Sequence, residues 1–199
     1  MQTLTAIDLC SITTKPKLNE FSFESLLDFY EENLCNRLFV YHLGPPANKV
    51  IKLRFEEDKL CHLLGFQHIF KGLRNARDYV GQSGYDLLRK QQVTFDTFKD
   101  KGLKQEFKSK KNRILLFPFV YQILLNPTAI LFSNDLLPTN IETEFFFYRS
   151  QDGCFLHLGV DSDGQNPYYF PKTFVERNNR DFIENQMLVS VLKIEVILD

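Results

Sequence analysis

The sequence lacks most of the short signatures that assign a protein quickly. Its four cysteines stand at positions 10, 35, 61 and 154 and form no CxxC pair, which argues against a disulfide framework or a zinc ribbon and for a reducing compartment. No apolar run approaches the roughly 20 residues that span a bilayer. The N-terminal MQTLTAIDLCSITTK has no basic-then-apolar layout of a signal peptide. The expectation is a cytoplasmic protein without a membrane partner. There is no internal repeat or low-complexity segment, no HExxH, no EF-hand spacing, no GxSxG elbow and no Rossmann fingerprint. GQSG at 81–84 has the form of a GxxG phosphate loop but lacks a GK[ST] ending and a strand before it, and it reads as a turn.

Charge of one sign is also missing overall, since the formal net charge is −1. The average conceals a polarised distribution. Between Lys99 and Arg113, KDKGLKQEFKSKKNR carries seven basic and two acidic residues, a local +5. Lys104, Lys108, Lys110, Lys111 and Arg113 in this run are candidate RNA-binding residues, although a solvated helix face has the same composition.

With 199 residues, 44% of them hydrophobic, the chain can bury a substantial core. SFESLLDFYEENL opens with Ser22 as an N-cap and places Phe23, Leu26, Leu27, Tyr30 and Leu34 at helical spacing. NRLFVYHL and NKVIKLRF are β-rich and flank GPPA, which predicts a hairpin over 37–55. From Glu56 to about Lys111 short helical stretches alternate with glycines, and a further helix is expected over 117–125. AILFSN reads as a short strand. After it, EFFFYRS-QDG-CFLHLGV reads as a hairpin, YYFPKTFVE as a third strand and LVSVLKIEVIL as a fourth. The order predicts an α+β fold: one domain over 1–199, with a helical insertion at 56–127 and the main antiparallel sheet of about four strands at 128–199.

Polar groups embedded in these strands are the candidate chemistry. Arg149, His157, Lys172 and Thr173 sit among Phe, Tyr, Leu and Val. If Asp152-Gly153 forms a two-residue turn, Tyr148 faces His157 and Arg149 lies on the other side of the sheet; a three-residue turn puts Arg149 and His157 on one side. Alternation separates Lys172 from Thr173 unless a bulge intervenes. A histidine within a strand is commonly a half-buried structural residue. A histidine beside a cation is also the minimal equipment for cleaving an RNA phosphodiester, because it moves protons near neutral pH while the cation stabilises charge on phosphorus oxygens. His62 and His68 are six apart, about 240° around one helix, so a straight helix would not aim both at one metal. No metal or other cofactor is expected. His62, on the first helix after a strand, is a second candidate proton carrier.

KLRFEEDKLCHLLGFQHIFKG, followed much later by CFLHLGVDSDGQNPYYFPKTFVERNNRDFIENQ, resembles the phage and Gram-positive bacterial group of barnase–EndoU–colicin–RelE-like ribonucleases, over roughly residues 20–199. The resemblance implies helices followed by a four-stranded antiparallel sheet and a hydrolase of toxin or mobile-element type. It implies RNA cleavage by the neighbouring 2′-hydroxyl to give a 2′,3′-cyclic phosphate without metal. His62 or His157 would move protons, Arg149 and Lys172 would bind the phosphate, and Thr173 would hydrogen-bond it. RNA and an antitoxin or immunity protein are the expected partners. One alternative is a non-catalytic RNA- or protein-binding module derived from such a fold. A general-base glutamate is not evident, because Glu144 and Glu176 lie at strand ends.

Overall fold

A computed structural model of the chain describes residues 3–135 and 137–198. Two compact units emerge, one formed by Met1–Cys35 with Glu56–Phe119 and one by Asn36–Phe55 with Val120–Asp199.

The first unit is helical. Thr5 opens α1 (Ala6–Cys10) by accepting from the Asp8 N–H at 3.2 Å, and Asp8 returns the bond to the Thr5 N–H. Ser22 caps α2 (Phe23–Tyr30) as expected, taking the Ser25 N–H at 3.0 Å. The chain then continues through a wider π turn, Glu31–Cys35, instead of a regular helix to residue 34. Short helices follow: α3 (Leu60–Leu64), α4 (Phe66–Ile69), α5 (Gly81–Arg89), α6 (Phe95–Asp100) and α7 (Lys104–Leu116). Phenylalanines fill the space between them. Phe66 meets Phe23, Phe70 and Phe98 edge-on, and Phe98 stacks on Phe107 with ring centroids 4.6 Å apart. GQSG is not a loop but the first turn of α5. A Cβ on Gly84 would lie 2.5 Å from the Tyr79 carbonyl carbon and 2.8 Å from Cys61 Sγ, so the glycine serves close packing, not a phosphate.

In the second unit, β1 (Arg37–Leu43) and β2 (Val50–Arg54) form the expected hairpin around the prolines. The segment α8 (Phe119–Leu125) follows α7 across Pro118, whose missing N–H ends a continuous helix. Then come β3 (Thr128–Leu131), β4 (Phe145–Gln151), β5 (Cys154–Asp161), β6 (Phe170–Arg177), β7 (Met187–Val189) and β8 (Val191–Leu198). Two antiparallel sheets result, in the orders β2-β1-β8 and β6-β5-β4-β3-β7. The run LVSVLKIEVIL is therefore two strands, not one. Ser190 breaks it by turning its backbone to the proline loop, where its carbonyl accepts from the Gly44 N–H at 2.8 Å. β7 stays with β3, while β8 crosses to pair along the whole of β1.

The sheets meet through side chains and backbone. Tyr41 packs edge-on to Phe147 at 4.7 Å, and its hydroxyl donates to the Leu124 carbonyl at 2.9 Å. At the rim, Tyr169 accepts from the Arg54 N–H at 3.0 Å and donates its own N–H to Lys52 at 2.8 Å.

Candidate active site

Asp152 (φ 48°) and Gly153 (φ 76°) both take the left-handed conformation that a two-residue type I′ turn requires. Tyr148 therefore faces His157, and Arg149 faces Leu156. Arg149 and His157 lie on opposite faces of the five-stranded sheet, where Arg149 donates to Gln122 Oε1 at 2.7 Å.

His157 is fully buried, at 0% exposure. Its ring lies 5.4 Å from Phe146, 5.7 Å from Tyr148 and 5.7 Å from Phe182. Neither ring nitrogen has a hydrogen-bond partner of good geometry among the described residues. Burial drives its pKa down to about 4, with the Arg177 charge adding to the effect, against backbone groups of Phe155 and Val175 that favour the charged form.

On the neighbouring strand a bulge does intervene. Gly159 pairs with Thr173 and Val160 with Pro171, which leaves Lys172 as the extra residue. Thr173 shares the His157 face, and its Cγ2 lies 2.8 Å from where a Gly159 Cβ would stand. A larger residue there would force the Thr173 side chain to shift. Lys172 turns to an ion pair with Asp161.

The remaining candidates belong to the helical unit. His62 is exposed on α3 and His68 on α4, on either side of Gly65 (φ 81°). The His68 pKa is lowered, first by burial and then by the charges of Lys110, Arg113, His62 and Lys71. At 100° per residue, Lys104, Lys108 and Lys111 form one stripe along α7, and Arg113 points the opposite way. Arg113 is buried; its Nε donates to the Leu63 carbonyl at 2.6 Å and Nη2 to that of His62 at 2.9 Å, tying down the end of α3.

Glu144, set aside above as a strand-end glutamate, forms a polar cluster in the second unit with Lys49 and Tyr169, which the sequence did not single out. A bend sets Glu144 just before β4, where the Thr143 hydroxyl donates to the Val160 carbonyl at 3.0 Å. Lys49, just before β2, donates from Nζ to Glu144 Oε1 at 2.6 Å and to the Tyr169 hydroxyl at 2.9 Å. That hydroxyl in turn donates to Glu144 Oε2 at 2.8 Å and closes a triangle. The cluster is open to solvent, with the Lys49 and Glu144 side chains 39% and 28% exposed. Hydrogen bonds to Glu144 and Tyr169 raise the Lys49 pKa and keep it cationic, and burial raises that of Tyr169. Beside it the Arg54 guanidinium lies 4.2 Å over the Tyr168 ring. The triangle joins positions 95 and 25 residues apart in the chain. Its one sequence signal is that all three flank loop ends.

Carboxylate, ammonium and phenol at hydrogen-bond distance are a set that can accept a proton, hold an anion and return a proton. Among the described residues no three His, Cys, Asp or Glu side chains gather as metal ligands. A family model for phage-Barnase-EndoU-ColicinE5/D-RelE like nuclease 4 matches residues 25–195. The chain belongs to this nuclease family. The match takes in both units, and the family name makes nucleic acid the expected class of substrate for this nuclease. No curated protein matches the chain, and neither does any solved structure. Among the described residues, no helix is long and apolar enough to cross a membrane.

Proposed function

We propose that this nuclease cleaves RNA by attack of a 2′-hydroxyl on the adjacent phosphodiester, at the Lys49–Glu144–Tyr169 cluster. The observation that carries this reading is the closed, solvent-accessible triangle of hydrogen bonds among the three side chains. Glu144 removes the 2′-hydroxyl proton as the 2′-oxygen bonds to phosphorus. The Lys49 ammonium neutralises charge on the non-bridging oxygens, and Tyr169 donates its proton to the departing 5′-oxygen. The products are a 2′,3′-cyclic phosphate and a 5′-hydroxyl. Glu144 then passes its proton to Tyr169 along the bond they already share, which restores the starting state. Lys104, Lys108 and Lys111 hold RNA backbone phosphates through counterion release.

His157 carries a second reading, favoured by its two ring nitrogens, neither of which has a hydrogen-bond partner of good geometry among the described residues. There it serves as proton carrier with Thr173 and Lys172, which requires the segment bearing Phe182 to move away. Arg149, held by Gln122 on the opposite face, takes no part in either reading.

The test is incubation with RNA in excess EDTA, with identification of product ends. Cyclic-phosphate ends from wild type and from His157→Leu, but not from Glu144→Gln, are expected. Undiminished cleavage by Glu144→Gln would overturn the assignment; its loss in His157→Leu alone would favour the second reading. RNA retention with no cleavage by wild type would favour a binding module. The proposal extends to a toxin-type enzyme restrained by an inhibitor protein, so expression of wild type should arrest growth where Glu144→Gln does not.

A further inference from the structure

β8 is an edge strand with unusual content. It pairs with β1 on one side and, among the described residues, with no other strand on its second side. It carries Leu192 and Leu198 at 70% and 74% exposure, with Ile197 also exposed. Such an edge offers a row of backbone donors and acceptors to a further strand.

The side-chain order specifies which strand. In Val191-Leu192-Lys193-Ile194-Glu195-Val196-Ile197, the residues are complementary to themselves when reversed about Ile194. An antiparallel copy centred there puts Lys193 opposite Glu195, Glu195 opposite Lys193, Leu192 opposite Val196 and Val191 opposite Ile197. Directly opposed residues lie on the same face of an antiparallel pair, and a two-fold axis can pass through either class of opposed pair. A shift of the axis by one residue along either strand sets Lys193 against Lys193 or Glu195 against Glu195, which repels. Lys193 and Glu195 are already 3.0 Å apart on the outer face of their own strand, so both charges are presented together.

We propose that two copies of this chain associate through β8 in this register, joining their three-stranded sheets into one of six strands in the order β2-β1-β8-β8-β1-β2. The interface is isologous, as a two-fold dimer requires. One strand edge is small beside the roughly 1,600 Å² of a standard interface. The dimer therefore exchanges with monomer, and its population follows concentration.

The experiment is sedimentation equilibrium of the full chain and of charge variants, with melting temperature as the control for folding. Wild type should show a concentration-dependent dimer. Lys193→Glu alone and Glu195→Lys alone each oppose like charges twice across the axis and should weaken self-association by about tenfold or more. The double variant restores the pairing and should recover the dimer. An equimolar mixture of the two single variants should form a heterodimer, because one chain then presents two acids to two bases. A wild type that stays monomeric, with Lys193 acting as a charged guard on the edge, would overturn the proposal. Single variants that dimerise as well as wild type would also overturn it.

Discussion

His157 lies inside β5 and Glu144 immediately before β4, so two ionisable groups of one sheet can be compared directly. His157 is enclosed by Phe146, Tyr148 and Phe182, and burial has removed its charge at neutral pH. Glu144 sits where the strand begins, and the tips of two other segments bring it a cation and a phenol. A strand interior in this protein is covered by aromatic rings, while a strand end is left wet and meets loop residues from elsewhere in the chain. Proton-transfer chemistry on a solvated polymer needs the second environment, because a group with no solvent access reaches no substrate.

The largest effect that would break this comparison is catalytic. Glu144→Gln and Lys49→Met should each lower the cleavage rate by about a hundredfold to a thousandfold, while His157→Leu should stay within about tenfold of wild type in the same gel-based assay. Equal losses in all three would erase the distinction between wet rim and dry interior.

Next in size is the response to acid. An unfolded histidine titrates near 6.5 and the native His157 near 4, so between those values the unfolded chain binds the extra proton and stability falls as pH falls. The loss from this group should reach roughly 3 kcal/mol once pH is below both values. Urea unfolding of His157→Leu across that range should lack this component; an unchanged acid slope would mean that His157 is not protected as described.

The cations of α7 permit a smaller test of the same kind. Arg113→Ala removes the side-chain donor of the Leu63 carbonyl and one of two donors of the His62 carbonyl, which keeps the Gly65 N–H at 3.0 Å, and should cost about 1–3 kcal/mol in unfolding free energy. Replacing Lys104, Lys108 and Lys111 together by alanine should leave stability nearly unchanged but flatten the salt dependence of RNA binding by roughly one unit per lost phosphate contact. The smallest effect is expected at Lys172, whose partly exposed pair with Asp161 should be worth under about 1 kcal/mol in a melting comparison of Lys172→Ala with wild type.

Much of the fold was legible because it follows from local pattern. Ser22 before an amphipathic run marked α2, prolines between β-rich segments marked the first hairpin, and alternation marked β4 to β6. The division of the last strand was not legible, because Ser190 fits a strand by composition and its break depends on a hydrogen bond to Gly44, a distant loop residue. The hairpin register was equally open until the conformations of Asp152 and Gly153 selected the two-residue turn. For the site, embedded polar residues drew attention to His157, Lys172 and Thr173. Their environments depend on what covers a face and where a bulge falls, and neither is written in a single strand.

The sequence by itself determined the α+β class, the Ser22-capped helix α2, the helical character of the middle segment, most strands and the nuclease family resemblance, because each rests on residues close together in the chain. Only the tertiary structure decided that β8 would join β1, that His157 would be dry, and that Lys49, Glu144 and Tyr169 would meet. Those outcomes come from contacts between segments far apart in sequence, where burial and loop placement, not local propensity, set the energy.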